Sequence, residues 1–208
     1  MSQPGDEPTP KDRWEQRYDG DEYVFGTEPN DFLRANVGRL PPGRVLWLAE
    51  GEGRNATFLA AQAHDVASID LTEAGVAKTR CLAAEHGVSV AAEVGDLATA
   101  DLGRDRWNAI VSIFAHLPPA VRRDLHRRVV AALASGGVFL LEAYTPDQVG
   151  RGTGGPQTAE LTMTLAALRQ ELAGLDIVVG QELEREVVEG PGHSGTGSVV
   201  QVIARKPS

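Results

Sequence analysis

The chain has one cysteine, Cys81, so no disulfide can close within it, as expected of a protein from a reducing compartment. No apolar run approaches the roughly 20 residues needed to span a bilayer. The opening MSQPGDEPTPKDR holds no apolar stretch of the kind a secretory leader requires. The expectation is a cytoplasmic protein with no membrane segment. Positive charge is scarce as well. Twenty Lys and Arg stand against 29 Asp and Glu, a net charge of −9 that repels phosphate backbones and argues against a nucleic-acid partner. Aromatic residues make up only 5% of the chain, yet 42% is hydrophobic. At 208 residues that is enough for one well-buried core and too little for two comfortable domains. There is no internal repeat, no His/Cys cluster with metal-ligand spacing, and no G-x-S-x-G elbow, so no metal is expected. A monomer or a homodimer is expected.

What is present is a rhythm. After a tail of about a dozen residues, Trp14 and Tyr18 lie one helical turn apart in a short polar helix. A second helix starts near Asn30 or Asp31, either of which can cap it. From Pro42 onward strands and helices alternate. The expected strands are Arg44 to Ala49, Asp65 to Asp70, Val88 to Val94, Trp107 to Phe114 and a fifth reading VFLLEAY, which follows Gly136 and Gly137. Helices are expected over Asn55 to Ala63, from Thr72 to about His86, and from about Pro119 to Leu133. In the last of these, Val121, Leu125, Val129 and Leu133 recur every four residues, which assigns the arginines of RRDLHRR to a solvated outer face. Strand–helix alternation implies right-handed crossovers and a mainly parallel sheet covered on both faces. The continuous apolar character of strands one, four and five agrees. After a helix marked by Leu161, Leu165, Leu168 and Leu172 the rhythm breaks. The runs Ile177 to Val188 and Ser198 to Arg205 are joined by a loop too short for a helical crossover, so they pair antiparallel. The fold class is α/β, a doubly wound sheet ending in an antiparallel hairpin.

The main motif is Glu50-Gly51-Glu52-Gly53-Arg54-Asn55-Ala56, between the first strand and a helix. Read as G-x-G-x-x-A, it assigns Gly51 to a tight turn, Gly53 to close approach of a ligand, and Ala56 to helix–sheet packing. Asp70 ends the second strand, where a carboxylate can accept both ribose hydroxyls of an adenosyl group or cap a helix. The capping role is weakened because Thr72 can already fill it. Asp96, after the third strand, can accept from an adenine amino group while Leu97 packs on the ring; as a plain turn residue it has equal claim. All these positions converge at the carboxyl ends of the strands, where ligands of such sheets bind.

The pieces LAEGEGRNATFLA, VSIFAHLPP, LLEAYTP and GTGGP, in this order and spacing, resemble the class I methyltransferases. The likeness is to the small bacterial group related to tellurite-resistance and thiopurine methyltransferases. The resemblance implies a seven-stranded sheet of order 3-2-1-4-5-7-6, with residues 1–41 as tail and helical cap and 42–208 as a Rossmann-like domain. It implies S-adenosylmethionine as cofactor and S-adenosylhomocysteine as product. The implied cofactor set is Glu50, Gly51, Gly53, Asn55, Asp70 on the ribose, Leu71, Asp96 and Leu97 around the adenine, and Ile113 near the methionyl part. The family pattern D-x-G-x-G-x-G has Trp47 and Ala49 at its first two defining places here, so Glu50 is the candidate for the ligand's ammonium group.

Methyl transfer from a sulfonium is an in-line displacement that alignment alone can accelerate greatly. A base is needed only for an acceptor that is protonated at working pH. Trp14, Tyr18, Tyr23 and Phe25 are candidates for an aromatic acceptor lid, although Trp14 and Tyr18 serve equally to dock a helix. His116 follows the fourth strand and can act as a general base or fix its loop through a carbonyl. Glu142 and Tyr144 end the fifth strand, and a carboxylate in an apolar strand suggests reach into the site. His193 reads as an exposed loop residue and Cys81 as a small packing residue. The function expected is methyl transfer to a small thiol, metalloid oxyanion or hydroxyl. The alternatives are an NAD(P)-dependent oxidoreductase, against which the missing Tyr-x-x-x-Lys pair argues, and a non-catalytic adenosyl-binding relative.

Overall fold

The structure is a computed structural model and describes residues 8–190 and 193–208. Most of the expected tail therefore lies outside the described residues. Helix α1 (Pro10–Tyr18) begins inside that stretch because Thr9 and Asp12 form a capping box around its first turn. Asn30 caps α2 (Asp31–Asn36) through the Leu33 amide at 2.9 Å.

The sheet then builds in the expected order. Its strands are β1 (Arg44–Leu48), β2 (Asp65–Asp70), β3 (Ala91–Val94), β4 (Trp107–Ile113), β5 (Leu133–Tyr144), β6 (Asp176–Glu189) and β7 (His193–Arg205). They lie side by side as β3-β2-β1-β4-β5-β7-β6, parallel through β5 and antiparallel at β5–β7 and β7–β6. The helices α3 (Arg54–Ala61), α4 (Glu73–Glu85), α5 (Pro119–Ala132) and α6 (Leu165–Glu171) cover the two faces. Successive strand side chains point to opposite faces, and each face has its own core. Val45 and Trp47 of β1 pack with α2, α3 and α4, beside Leu33, Leu59 and Val76. Leu46 and Leu48 pack with α5 and α6, beside Leu125, Val129 and Leu168.

Four expectations are corrected. β3 starts at Ala91, three residues later than its apolar pattern suggested, and β7 starts at His193, five residues earlier. The arginine face of α5 is not uniformly solvated. Arg122 and His126 are buried against the Glu171 carboxylate at 2.8 and 2.7 Å, a partner supplied by α6. Burial alone would raise the pKa of Glu171, but its bonds to His126 and Arg122 outweigh it and hold the carboxyl at about 2. Finally, Cys81 lies on the exposed face of α4 instead of in the packing.

Candidate active site

A cavity of about 480 Å³ opens at the carboxyl ends of β1, β2, β3 and β4, within the size range of small-molecule sites. Its floor is the turn after β1. Ala49 and Gly51 take positive φ values of 54° and 70°, and Gly53 (98°) precedes α3 in the left-handed region. The two glycines also make room for protein. A Cβ on Gly51 would stand 2.7 Å from the Tyr18 hydroxyl, and one on Gly53 would stand 2.5 Å from Cα of Thr79. The sequence reading that Gly53 admits a ligand is therefore corrected: Gly53 admits helix α4.

Glu50 is the focus of this turn. Its Oε1 accepts from the Asn55 and Ala56 amides at 3.0 and 2.9 Å, replacing the missing side-chain cap of α3. Its Oε2 is buried with no hydrogen-bond partner, and the residue lines the cavity. Burial pushes the carboxyl up to about 8, against the pull of the two amides and Arg54. Trp47, three residues before Glu50, is packed at 1% exposure.

Asp70 ties the turn to β2. Its Oδ2 accepts from the Gly51 amide at 2.7 Å, and its Oδ1 from the Thr72 amide and hydroxyl at 3.0 and 2.7 Å. Thr72 caps α4 through Gly75, as expected. A carboxylate offers about four acceptor positions, so one remains on the Asp70 rim of the cavity. Asp96 accepts from the Ala98 amide at 2.8 Å in a local turn and lines the cavity with Leu71, Leu97, Asn55 and Ile113.

The roof comes from the N-terminal helix. Trp14, Tyr18 and Phe25 line the cavity with ring centroids 5.4 to 6.5 Å apart, and Arg17 lies 5.1 Å from the Phe25 ring centre. The Phe25 amide donates to Glu52, whose other oxygen holds Lys78, and the Glu15 carboxylate accepts from the first amides of α4. Burial, reinforced by the Asp70 and Glu52 carboxylates, raises the Tyr18 pKa well above the usual phenol range. Tyr23 does not line the cavity and packs on Lys78 instead.

The three expected catalytic residues separate. His116 lines the cavity with Nδ1 on the Leu161 carbonyl at 3.0 Å and a buried, unpartnered Nε2. Burial lowers its pKa to about 4, so the ring stays neutral at pH 7. Glu142 is a correction. It is fully buried and bonded to Arg185, Asn30 and Gln201 at 2.6 to 2.8 Å, and it lies outside the cavity lining. A carboxylate in an apolar strand needs partners, and here they are protein side chains, not a ligand in the cavity. Tyr144 is likewise fully buried outside that lining, stacked on Phe114 at 4.5 Å, and burial raises its pKa beyond the usual phenol range. The reading of His193 as an exposed loop residue is also corrected: it opens β7, lines the cavity, and touches Phe25, Phe114 and Tyr144.

Residues 45–137 match the family model described as a methyltransferase domain. No curated protein matches the sequence. Solved structures share the fold at low identity. A protein described with the conversion of a disulfide bond into a thioacetal group during echinomycin biosynthesis is 17% identical, with TM-score 0.74 over 91% of this chain and 86% of the other. TehB from Haemophilus influenzae is 19% identical, with TM-score 0.70 over 94% of this chain and 66% of its own. An S-adenosylmethionine-dependent methyltransferase from Methanosarcina mazei is 16% identical, with TM-score 0.63 over 90% and 99%.

Proposed function

We propose that the chain is a class I, S-adenosylmethionine-dependent methyltransferase and that it methylates a small molecule at a thiol, a hydroxyl or a metalloid oxyanion. The observation that carries this reading is Glu50 Oε2, a buried carboxylate oxygen without a partner on the wall of the cavity. A cationic group of the cofactor would satisfy it, and the ammonium of the methionyl part is the fitting one. The free acceptor position of Asp70 suits a ribose hydroxyl; a full bidentate contact would have to share oxygens already bonded to Gly51 and Thr72. Asp96 and Leu97 suit the adenine, with Leu71 and Asn55 beside them and Ile113 toward the methionyl part. Gly51 and Gly53 shape the turn.

When bound, the cofactor supplies an electrophilic methyl group on a sulfonium. The protein's own part is alignment and exclusion of water. Trp14, Tyr18 and Phe25 present ring faces that favour a cation, and they close the roof over the site. In this reading residues 1–41 are the tail and helical cap of a 42–208 catalytic domain, in a cytoplasmic monomer or homodimer that needs neither metal nor nucleic acid. The test is transfer of labelled methyl to thiols, phenols and metalloid oxyanions. Labelled product with any of these supports the proposal; tight cofactor binding with no transfer to any acceptor favours the non-catalytic adenosyl-binding alternative.

A further inference from the structure

The hairpin β6–β7 brings His193 to the cavity lining, and Glu189, which pairs with it, is tied to Arg54 at the end of the glycine turn. The strand register sets Glu189 directly opposite His193. Glu189 is 4% exposed and is held by the Arg54 guanidinium at 2.5 Å and the Asn30 amide at 2.6 Å. Burial would raise its pKa, but His193, Arg54 and Asn30 outweigh it and hold the carboxyl at about 2, so it stays ionised. The His193 Nδ1 is buried, has no hydrogen-bond partner, and stands 4.0 Å from Glu189 Oε2. That is longer than a hydrogen bond, as catalytic contacts often are before substrate arrives. An ionised carboxylate beside Nδ1 favours the tautomer that carries its proton there, which leaves the other ring nitrogen as an acceptor.

The surroundings define what that nitrogen can meet. The His193 ring lies 4.8 Å from Phe25 and 5.2 Å from Phe114 by ring centres, and His116 stacks beside Phe114. On the cavity wall Glu52 is paired with Lys78, Arg54 with Glu189, and Glu50 is held mostly protonated, which leaves Asp70 and Asp96 facing Arg17. Such a wall disfavours an oxyanion. A neutral acceptor avoids the repulsion but must lose a proton, and His116 with its lowered basicity is a poor receiver.

We propose that His193, oriented by Glu189, is the general base of the reaction, and that the acceptor is a neutral hydroxyl or thiol on a planar ring held among Phe25, Phe114 and His116. This rests on the methyltransferase reading of the same cavity. The acceptor's O–H or S–H proton passes to His193. The electron pair left on oxygen or sulfur forms the new bond to the methyl carbon, and the electrons of the broken carbon–sulfur bond remain on the cofactor's sulfur. The positive charge of the sulfonium ends on the imidazolium, beside Glu189.

The experiment uses the full chain with isotope-labelled histidine. Calorimetry first measures S-adenosylhomocysteine; if it does not bind, the methyltransferase reading itself fails. In the loaded protein, nuclear magnetic resonance is expected to show His193 protonated on Nδ1. Para-fluorophenol and para-fluorobenzyl mercaptan, both neutral at pH 7, are then expected to shift the His193 resonances. With S-adenosylmethionine in place of the product, H193Q should lower methylation of these probes by about 100-fold or more, with cofactor affinity kept within about twofold. Added imidazole should restore part of the rate to H193G. Protonation on Nε2, no response of His193 to either ring probe, or methylation of tellurite by an enzyme that ignores both rings would each overturn the proposal.

Discussion

With Glu50 in its proposed role, cofactor binding is a proton-linked event. In the free protein its carboxyl sits at about 8, because burial outweighs the two α3 amides and Arg54. A ligand ammonium meeting Oε2 needs the ionised form, so binding must expel the proton. At pH 6 about one Glu50 in a hundred is ionised, and at pH 7.5 about one in four, so affinity should rise about twenty-fold over that interval. The gain is roughly 2 kcal/mol and lies below the range in which an α-amino group itself titrates, near pH 8. Calorimetry with S-adenosylhomocysteine in buffers of different ionisation enthalpy should register about 0.9 proton released per site at pH 7. E50Q keeps an acceptor for the Asn55 and Ala56 amides, and it should bind more weakly, with no pH dependence and no proton release. Equal affinity at pH 6 and 7.5 in the wild type, with buffer-independent enthalpy, would refute this account of Glu50.

The same group sets a stability trend. Between about pH 4.5 and 8 the folded state holds a proton on Glu50 that the unfolded chain has released, so stability falls as pH rises, by something of the order of 5 kcal/mol. Thermal melts of E50Q should lose that decline. Glu189 acts with the opposite sign: its depressed pKa contributes roughly 3 kcal/mol above pH 4.5 that disappears as pH falls toward 2. E189Q should flatten acid unfolding in that window while lowering stability at pH 7. Glu142→Leu removes the two shortest ionic bonds of Arg185, leaving it Glu189 at 3.5 Å and Asp31 at 3.9 Å, and should cost about 3 kcal/mol in denaturant melts. Because Glu142 lies outside the cavity lining, S-adenosylhomocysteine affinity below the melting point should stay within about threefold.

The parallel part of the sheet was legible because β1, β4 and β5 are buried on both faces and read as continuous apolar runs. The hairpin was legible because its short loop forbids a crossover. What escaped were partners far apart along the chain. Glu142 meets Gln201 and Arg185, 59 and 43 residues away, so from the sequence it stood as an orphan acid. Arg122 and His126 are buried because α6 brings Glu171 to them, which a four-residue apolar repeat in α5 cannot register. His193 carried a signal that was passed over. In EGPGH a carboxylate and an imidazole stand four residues apart between two strand-like runs, and the register sets them opposite each other. The glycine turn was placed correctly, yet the tasks of its glycines depend on Tyr18 and Thr79, which only tertiary packing brings near.

The central claim is that this cavity holds an adenosyl sulfonium, and titration calorimetry of the wild type and Asp70→Ala with S-adenosylmethionine, S-adenosylhomocysteine and NADH tests it most directly. Both adenosyl compounds should bind the wild type, weaken at least tenfold in the variant as the proposed ribose contact and the Gly51 tether are lost together, and leave NADH without measurable heat. Binding of NADH alone, or of none of the three, would contradict the claim.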